Sequence, residues 1–152
     1  MSGKVKPIPD EYHGATPYLS VTGAAEAIEF YKTAFGARET MRMPAPGGKI
    51  GHAEIRIGDA PIMLADEHPE MNFRSPQSLG GTPVNIVIYV NDVDALVNGA
   101  LAAGAKLLRP VEDQFYGDRM GVLQESLRTH MVVRHTHRRR VSRGTAETRR
   151  RP

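Results

Sequence analysis

The chain runs twice through one order of segments, and that repetition restricts its fold more than any single motif. A short apolar run, Tyr18-Leu19-Ser20-Val21, leads into a helical pattern that stops at Phe35-Gly36-Ala37-Arg38. A second run, Val84-Asn85-Ile86-Val87-Ile88-Tyr89-Val90, leads into another that stops at Ala103-Gly104-Ala105-Lys106. From the closing valine to the alanine after the glycine is 16 residues in the first copy (Val21 to Ala37) and 15 in the second (Val90 to Ala105). Self-similarity of this kind marks a duplicated supersecondary unit, and two copies are too few for a solenoid.

Each unit reads as a strand, a helix and three further strands. Ala24, Ala27, Ile28, Tyr31 and Phe35 fall on one helical face, with Glu26, Glu29 and Lys32 polar. Gly36 is placed to end that helix as a left-handed cap. Residues 38–43, 51–57 and 61–65 read as strands, separated by a turn at 44–48 and the Gly58-Asp59 pair. In the second unit Asp92 is a helix cap for the face Val93, Leu96, Val97, Ala100 and Leu101. Residues 106–111, 114–116 and 120–123 follow as strands. The predicted layout is an arm at 1–14, a first βαβββ module at 15–66, a connection at 67–83, and a second module at 84–135 with an atypical last strand. A disordered arginine-rich tail is expected at 136–152. The fold class is α+β, with the two modules forming a curved mixed sheet around a barrel-like groove.

Composition narrows the setting. The chain has 152 residues, no cysteine and 40% hydrophobic residues, which suits one globular domain without disulfides or thiolate chemistry. No apolar run approaches the ~20 residues that span a bilayer, and the first residues lack a signal-peptide core, so a cytoplasmic protein without membrane partners is expected. The net charge of +3 is unevenly spread. Residues 126–152 hold nine of the 20 basic residues and one of the 17 acids, leaving 11 basic and 16 acidic side chains elsewhere. An acidic body with a basic tail is not a phosphate-tracking surface, and no specific nucleic-acid partner is expected.

Several quoted segments together resemble one family. Tyr18-Leu19-Ser20-Val21, Ala27-Ile28-Glu29-Phe30-Tyr31, Ala34-Phe35-Gly36-Ala37 and Gly51-His52-Ala53-Glu54-Ile55-Arg56-Ile57-Gly58-Asp59 are similar to the vicinal-oxygen-chelate superfamily, which holds glyoxalase I, bleomycin-resistance proteins and extradiol dioxygenases. Residues 74–81 (RSPQSLGG) and 109–119 (RPVEDQFYGDR) resemble its PhnB-like branch. The resemblance covers about residues 7–125. Its metal-dependent members place four His or Glu ligands on key strands. Carried onto this chain, those positions fall near Thr16, on Glu54, on Asn85 and in the altered tail. Only Glu54 is a good ligand, so the resemblance implies no metal and no other cofactor here.

The resemblance stops after Glu125. The family closes with a DPFGHxW-type segment, whereas this chain reads Gln124-Glu125-Ser126-Leu127-Arg128-Thr129-His130-Met131. Removing one base from a suitable codon choice turns that stretch into Q-D-P-F-G-H-I, so residues 125–152 are expected to be a frameshifted terminus, a reading that the coding DNA tests. The alternative is an evolved basic arm. The apolar centre Met131-Val132-Val133 is still able to fill the last strand position.

His52 and Glu54, two apart on a strand, share a face and form a candidate acid–base pair or a plain polar strand face. Arg109, Glu112, Asp113, Tyr116, Asp118 and Arg119 read either as a pocket mouth or as a loop salt-bridge network. Met41, Met43, Met63 and Met120 line an adaptable cavity or fill gaps. His68, Met71, Asn72 and Phe73 belong to the connection, as a lid or a linker. Thr16, His52, Glu54, Asn85, Tyr116 and Arg119 are the candidate ligand-binding residues. The expected function is metal-independent binding of a small apolar or mixed ligand in the groove between modules of a homodimer. The alternative is a glyoxalase-type lyase or isomerase with Glu54 as base or metal ligand.

Overall fold

A computed structural model of the chain describes residues 5–125 and 129–136. Most of the arginine-rich tail, and with it the expectations of a frameshift and of disorder, lies outside the described residues.

Two four-stranded sheets of identical order carry the fold. The first is built from β1 (Tyr18–Val21), β2 (Arg38–Pro44), β3 (Ile50–Ile57) and β4 (Ala60–Asp66), in the spatial order β1-β4-β3-β2. The second is built from β5 (Asn85–Tyr89), β6 (Lys106–Asp113), β7 (Asp118–Gln124) and β8 (His130–Thr136), in the order β5-β8-β7-β6. In each sheet the first strand runs parallel to the last, with Tyr18 opposite Met63 and Asn85 opposite His130. The remaining pairs are antiparallel. First and second strands therefore sit on opposite edges, and a helix must carry the chain across the sheet between them. Helices α1 (Ala24–Phe35) and α3 (Val93–Ala102) do so, with a short α2 (Pro76–Leu79) in the connection. The sheets stay open, and among the described residues no hydrogen-bonded barrel closes.

The period of each element decides which face is dry. Helix α1 sets Ala27, Ile28 and Tyr31 among Ala53, Ile55 and Leu64 of its sheet. Helix α3 sets Val93, Val97 and Ala100 among Leu123, Met131 and Val133. The two helices also touch each other, so both halves share one buried cluster. Burying each Ile or Leu is worth about 1.5–3 kcal/mol, and a shared cluster makes that gain common to the two modules.

The helix ends are fixed in two ways. Gly36 caps α1 in the left-handed region at φ 64°, as its position implies, and Asp92 caps α3 by accepting from the Ala95 N–H at 3.1 Å. The start of α1 has no capping side chain of its own, because Gly23 stands there. Asp66, at the far end of β4, substitutes: its Oδ1 accepts from the Gly23 and Ala24 N–H groups at 2.9 and 3.1 Å, and its Oδ2 from the Ile50 N–H at 2.7 Å. In the second module His135 holds the matching register position, and its Nδ1 accepts from the Val93 N–H at 3.0 Å.

Two segments differ from the sequence expectation. Residues 114–116 are a tight turn between β6 and β7, closed by Gln114 N–H to Asp118 O at 2.7 Å. Its tip leaves Phe115 85% exposed. The connection is a built loop and not a plain linker. Glu67 accepts from the Ser75 N–H at 2.8 Å and from the Ser78 hydroxyl, and Ser75 bonds Thr22 at 2.8 Å. A backbone bridge between His68 and Phe73 folds the loop back on β1 and β4.

Candidate functional site

The strand period that turns Ala53 and Ile55 toward α1 turns His52 and Glu54 the other way. On the neighbouring strand Met43 lies opposite His52 and Met41 opposite Glu54, so both methionines share the open face. They are 55% and 44% exposed, whereas His52 and Glu54 are largely covered.

A hydrogen-bonded chain runs through the middle of that face. His52 Nε2 lies 3.1 Å from Glu54 Oε1, and the Tyr18 hydroxyl lies 2.6 Å from His52 Nδ1. The Tyr12 hydroxyl, from the arm, donates to Glu54 Oε2. The order of partners assigns the protons: an ionised Glu54 accepts from Nε2–H and from Tyr12, which leaves the Nδ1 lone pair to accept from Tyr18. Donation by Tyr12, with a smaller contribution from His52, holds the Glu54 carboxyl below the usual carboxylate range. Burial and then the Glu54 charge push the Tyr18 phenol up, so Tyr18 stays a neutral donor. The Phe73 ring meets Tyr18 edge-on, with centroids 5.3 Å apart.

Two hollows open onto this chain. One of about 410 Å³ is lined by Tyr18, Gly51, Ala65, His68, Met71 and Phe73. The other, about 470 Å³, lies around Tyr12, Met41, Glu54 and Arg56. A longer groove of about 580 Å³ runs between the modules, from Ile57 and Ile62 to Asn85, Val87 and Tyr89.

The six residues singled out from sequence do not form one cluster. His52 and Glu54 are bonded partners. Thr16 lines a cleft with Asp59, Ala60 and Pro61, and Asn85 lines the groove between modules. Tyr116 donates to Met120 Sδ at 3.1 Å on the open side of the second sheet. Arg119 faces the other way: its Nε and Nη2 hold both oxygens of Asp94 on α3 at 2.8 Å, and Nη1 reaches Asp113 at 3.1 Å. That is the salt-bridge network, not a pocket mouth. The sequence placed Phe73 in the connection, as part of a lid or a linker, and gave Tyr12 and Tyr18 no role in a site. Tyr18 shares strand phase with Ser20 and was open to the same period-two reading as His52; Tyr12 carries no local signal.

The resemblance puts metal positions near Thr16, on Glu54 and on Asn85. Among the described residues no three His, Asp or Glu side chains gather as a metal site. His52 and Glu54 are engaged with each other and with tyrosines, and Thr16 and Asn85 stand at two of the remaining positions. The donor set does not fit a divalent centre.

Two open sheets of one topology, each crossed by a helix, define a paired βαβββ protein. The chain belongs to the Glyoxalase/Bleomycin resistance protein/Dioxygenase superfamily, whose profile matches residues 14–130. An uncharacterised protein of Mycobacterium bovis is 47% identical over 118 residues, covering 76% of this chain and 78% of that protein. An uncharacterised Mycobacterium tuberculosis protein matches equally well over 69% of its own length. Among solved structures, PA1353 from Pseudomonas aeruginosa aligns with TM-score 0.67 at 21% identity, over 82% of this chain and 98% of that one. TioX from Micromonospora sp. ML1 aligns with TM-score 0.63 at 23% identity, over 85% and 100%. A PhnB protein from Bacillus cereus gives 0.60 at 18% identity, over 82% and 100%. These structural likenesses establish the fold.

Proposed function

We propose that this chain is a metal-independent small-molecule binding protein of the glyoxalase and bleomycin-resistance type, acting in the cytoplasm as a homodimer. The observation that carries the reading is the open face of the first sheet. A polar chain, Tyr18–His52–Glu54, stands at its centre, flanked by exposed Met41 and Met43 and bordered by two hollows. Convergent polar groups in an apolar surround fix a ligand's orientation while the methionines adapt to its shape. The apolar side chains left exposed on the open side of the second sheet, Val87 and Tyr89 of β5, favour a second copy over it.

Native mass spectrometry of the purified protein should detect a copurified or added small molecule, lost in a His52→Ala, Met43→Ala double variant. Light scattering should give twice the chain mass. Absence of any bound species, with no thermal shift across a diverse compound panel, would sink the reading.

The lyase or isomerase alternative with Glu54 as base has less support. A carboxylate bonded on both oxygens and held below its usual range is a weak base. Turnover of the methylglyoxal–glutathione adduct with stoichiometric nickel or zinc would reinstate it.

A further inference from the structure

We propose that the phenol of Tyr12 is a built-in stand-in for the ligand, and that the site takes a neutral aromatic hydroxyl that displaces Tyr12 from Glu54. The inference rests on the ligand-binding reading above and names the class of molecule bound.

Tyr12 is out of character for its segment. From residue 5 to residue 15 every side chain is exposed except that of Tyr12, which is half-buried. Its hydroxyl crosses 42 positions of sequence to reach Glu54 Oε2. Among the described residues only one other hydrogen bond ties the arm to the first sheet, from Arg56 Nη2 to the Glu11 carbonyl at 3.0 Å. Two bonds hold an otherwise exposed arm, and neither Glu54 nor Arg56 belongs to the buried core cluster.

The surroundings of the ring are those of a binding site more than of a packed core. Tyr12 lines a hollow of about 470 Å³ together with Glu11, Arg38, Thr40, Met41, Arg56 and Pro61. The charge states suit a neutral phenol on a carboxylate: the bond to Glu54 pushes Tyr12 up to about 12, and the Tyr12 donation holds Glu54 down. His52 takes the other oxygen and fixes the carboxylate plane. The acceptor is thus oriented for one more O–H donor, and the arm supplies it in the ligand's absence. A tethered competitor lowers apparent affinity by the fraction of time it occupies the site, so removing it should tighten binding.

The probe is p-nitrophenol, whose phenolate is yellow and whose phenol is colourless. Bound to ionised Glu54 at neutral pH it must be the phenol, so binding bleaches the solution. Tyr12→Ala should bind it about tenfold more tightly than the unaltered chain, because the competing state is gone. Adding Glu54→Gln to that variant should abolish the bleaching, since the amide no longer disfavours the phenolate. Unchanged affinity in Tyr12→Ala, binding as the yellow form, or bleaching that survives Glu54→Gln would each overturn the proposal. Should Tyr12→Ala disturb folding, Tyr12→Phe carries the same test with a smaller gain. A copurified ligand without a hydroxyl would sink this inference while leaving the ligand-binding reading intact.

Discussion

With Tyr12 on one oxygen of Glu54 and His52 on the other, the titration of this carboxylate becomes a reporter on the whole face. Its folded-state pKa is depressed, so its contribution to stability is complete above the unfolded value and is lost as pH falls through the folded one. An NMR titration should place Glu54 below a free glutamate, and Tyr12→Phe should return most of the difference because Tyr12 is its largest cause. A Glu54 titration unmoved by that substitution would count against the network. At this scale the His52–Glu54 pair was legible, because period two alone puts both on one face. The Tyr12 bond was not, since no local pattern couples positions 42 apart. Arg119 was left between a pocket mouth and a salt-bridge network for a related reason. A charge cluster does not tell which face a residue takes, whereas strand parity turns Asp118 and Met120 one way and Arg119 toward α3.

The anchoring of α1 belongs to the element scale. Asp66 is buried and accepts three backbone N–H bonds, two from the start of α1 and one from the start of β3. Asp66→Ala should cost about 2–4 kcal/mol in urea unfolding, combining a lost cap with buried donors left unmet. His135→Ala should cost less, about 1 kcal/mol for the cap it gives the Val93 N–H at the start of α3. Equal costs would refute the asymmetry. The cap from Asp92 and the stop at Gly36 were readable because both lie next to the helix they serve. The Asp66 cap was not, because β4 lies beside the start of α1 in space but 43 positions away from Gly23 in the chain. The turn at 114–116 was read as a strand, but the short distance from β6 to β7 requires a reversal there, with Gly117 at φ 102°.

For the molecule as a whole, the decisive link is Tyr31 of α1, whose hydroxyl donates to buried Glu125 at the end of β7 across 94 positions at 2.8 Å. Burial and the Glu125 charge push this phenol well up. Because helices α1 and α3 share one core, unfolding should be a single transition by circular dichroism and by fluorescence of the tyrosines alike. Tyr31→Phe should lower stability by about 1–3 kcal/mol while keeping one transition. Separate transitions for the two halves would show that the shared core does not couple them. The duplication was plain in the sequence, but the tie between copies was not, because Glu125 sits where the familiar pattern gives out. Strand β8 lies beyond that point, and the family match ends at its first residue. It nevertheless completes the second sheet through backbone pairing with β5 and β7 and three apolar side chains, Met131, Val132 and Val133. The same strand also meets the start of α3 through His135, buried Asp118 through Arg134 and Thr136, and the shared core through Met131 and Val133, so a single change there is felt by sheet, helix and core at once.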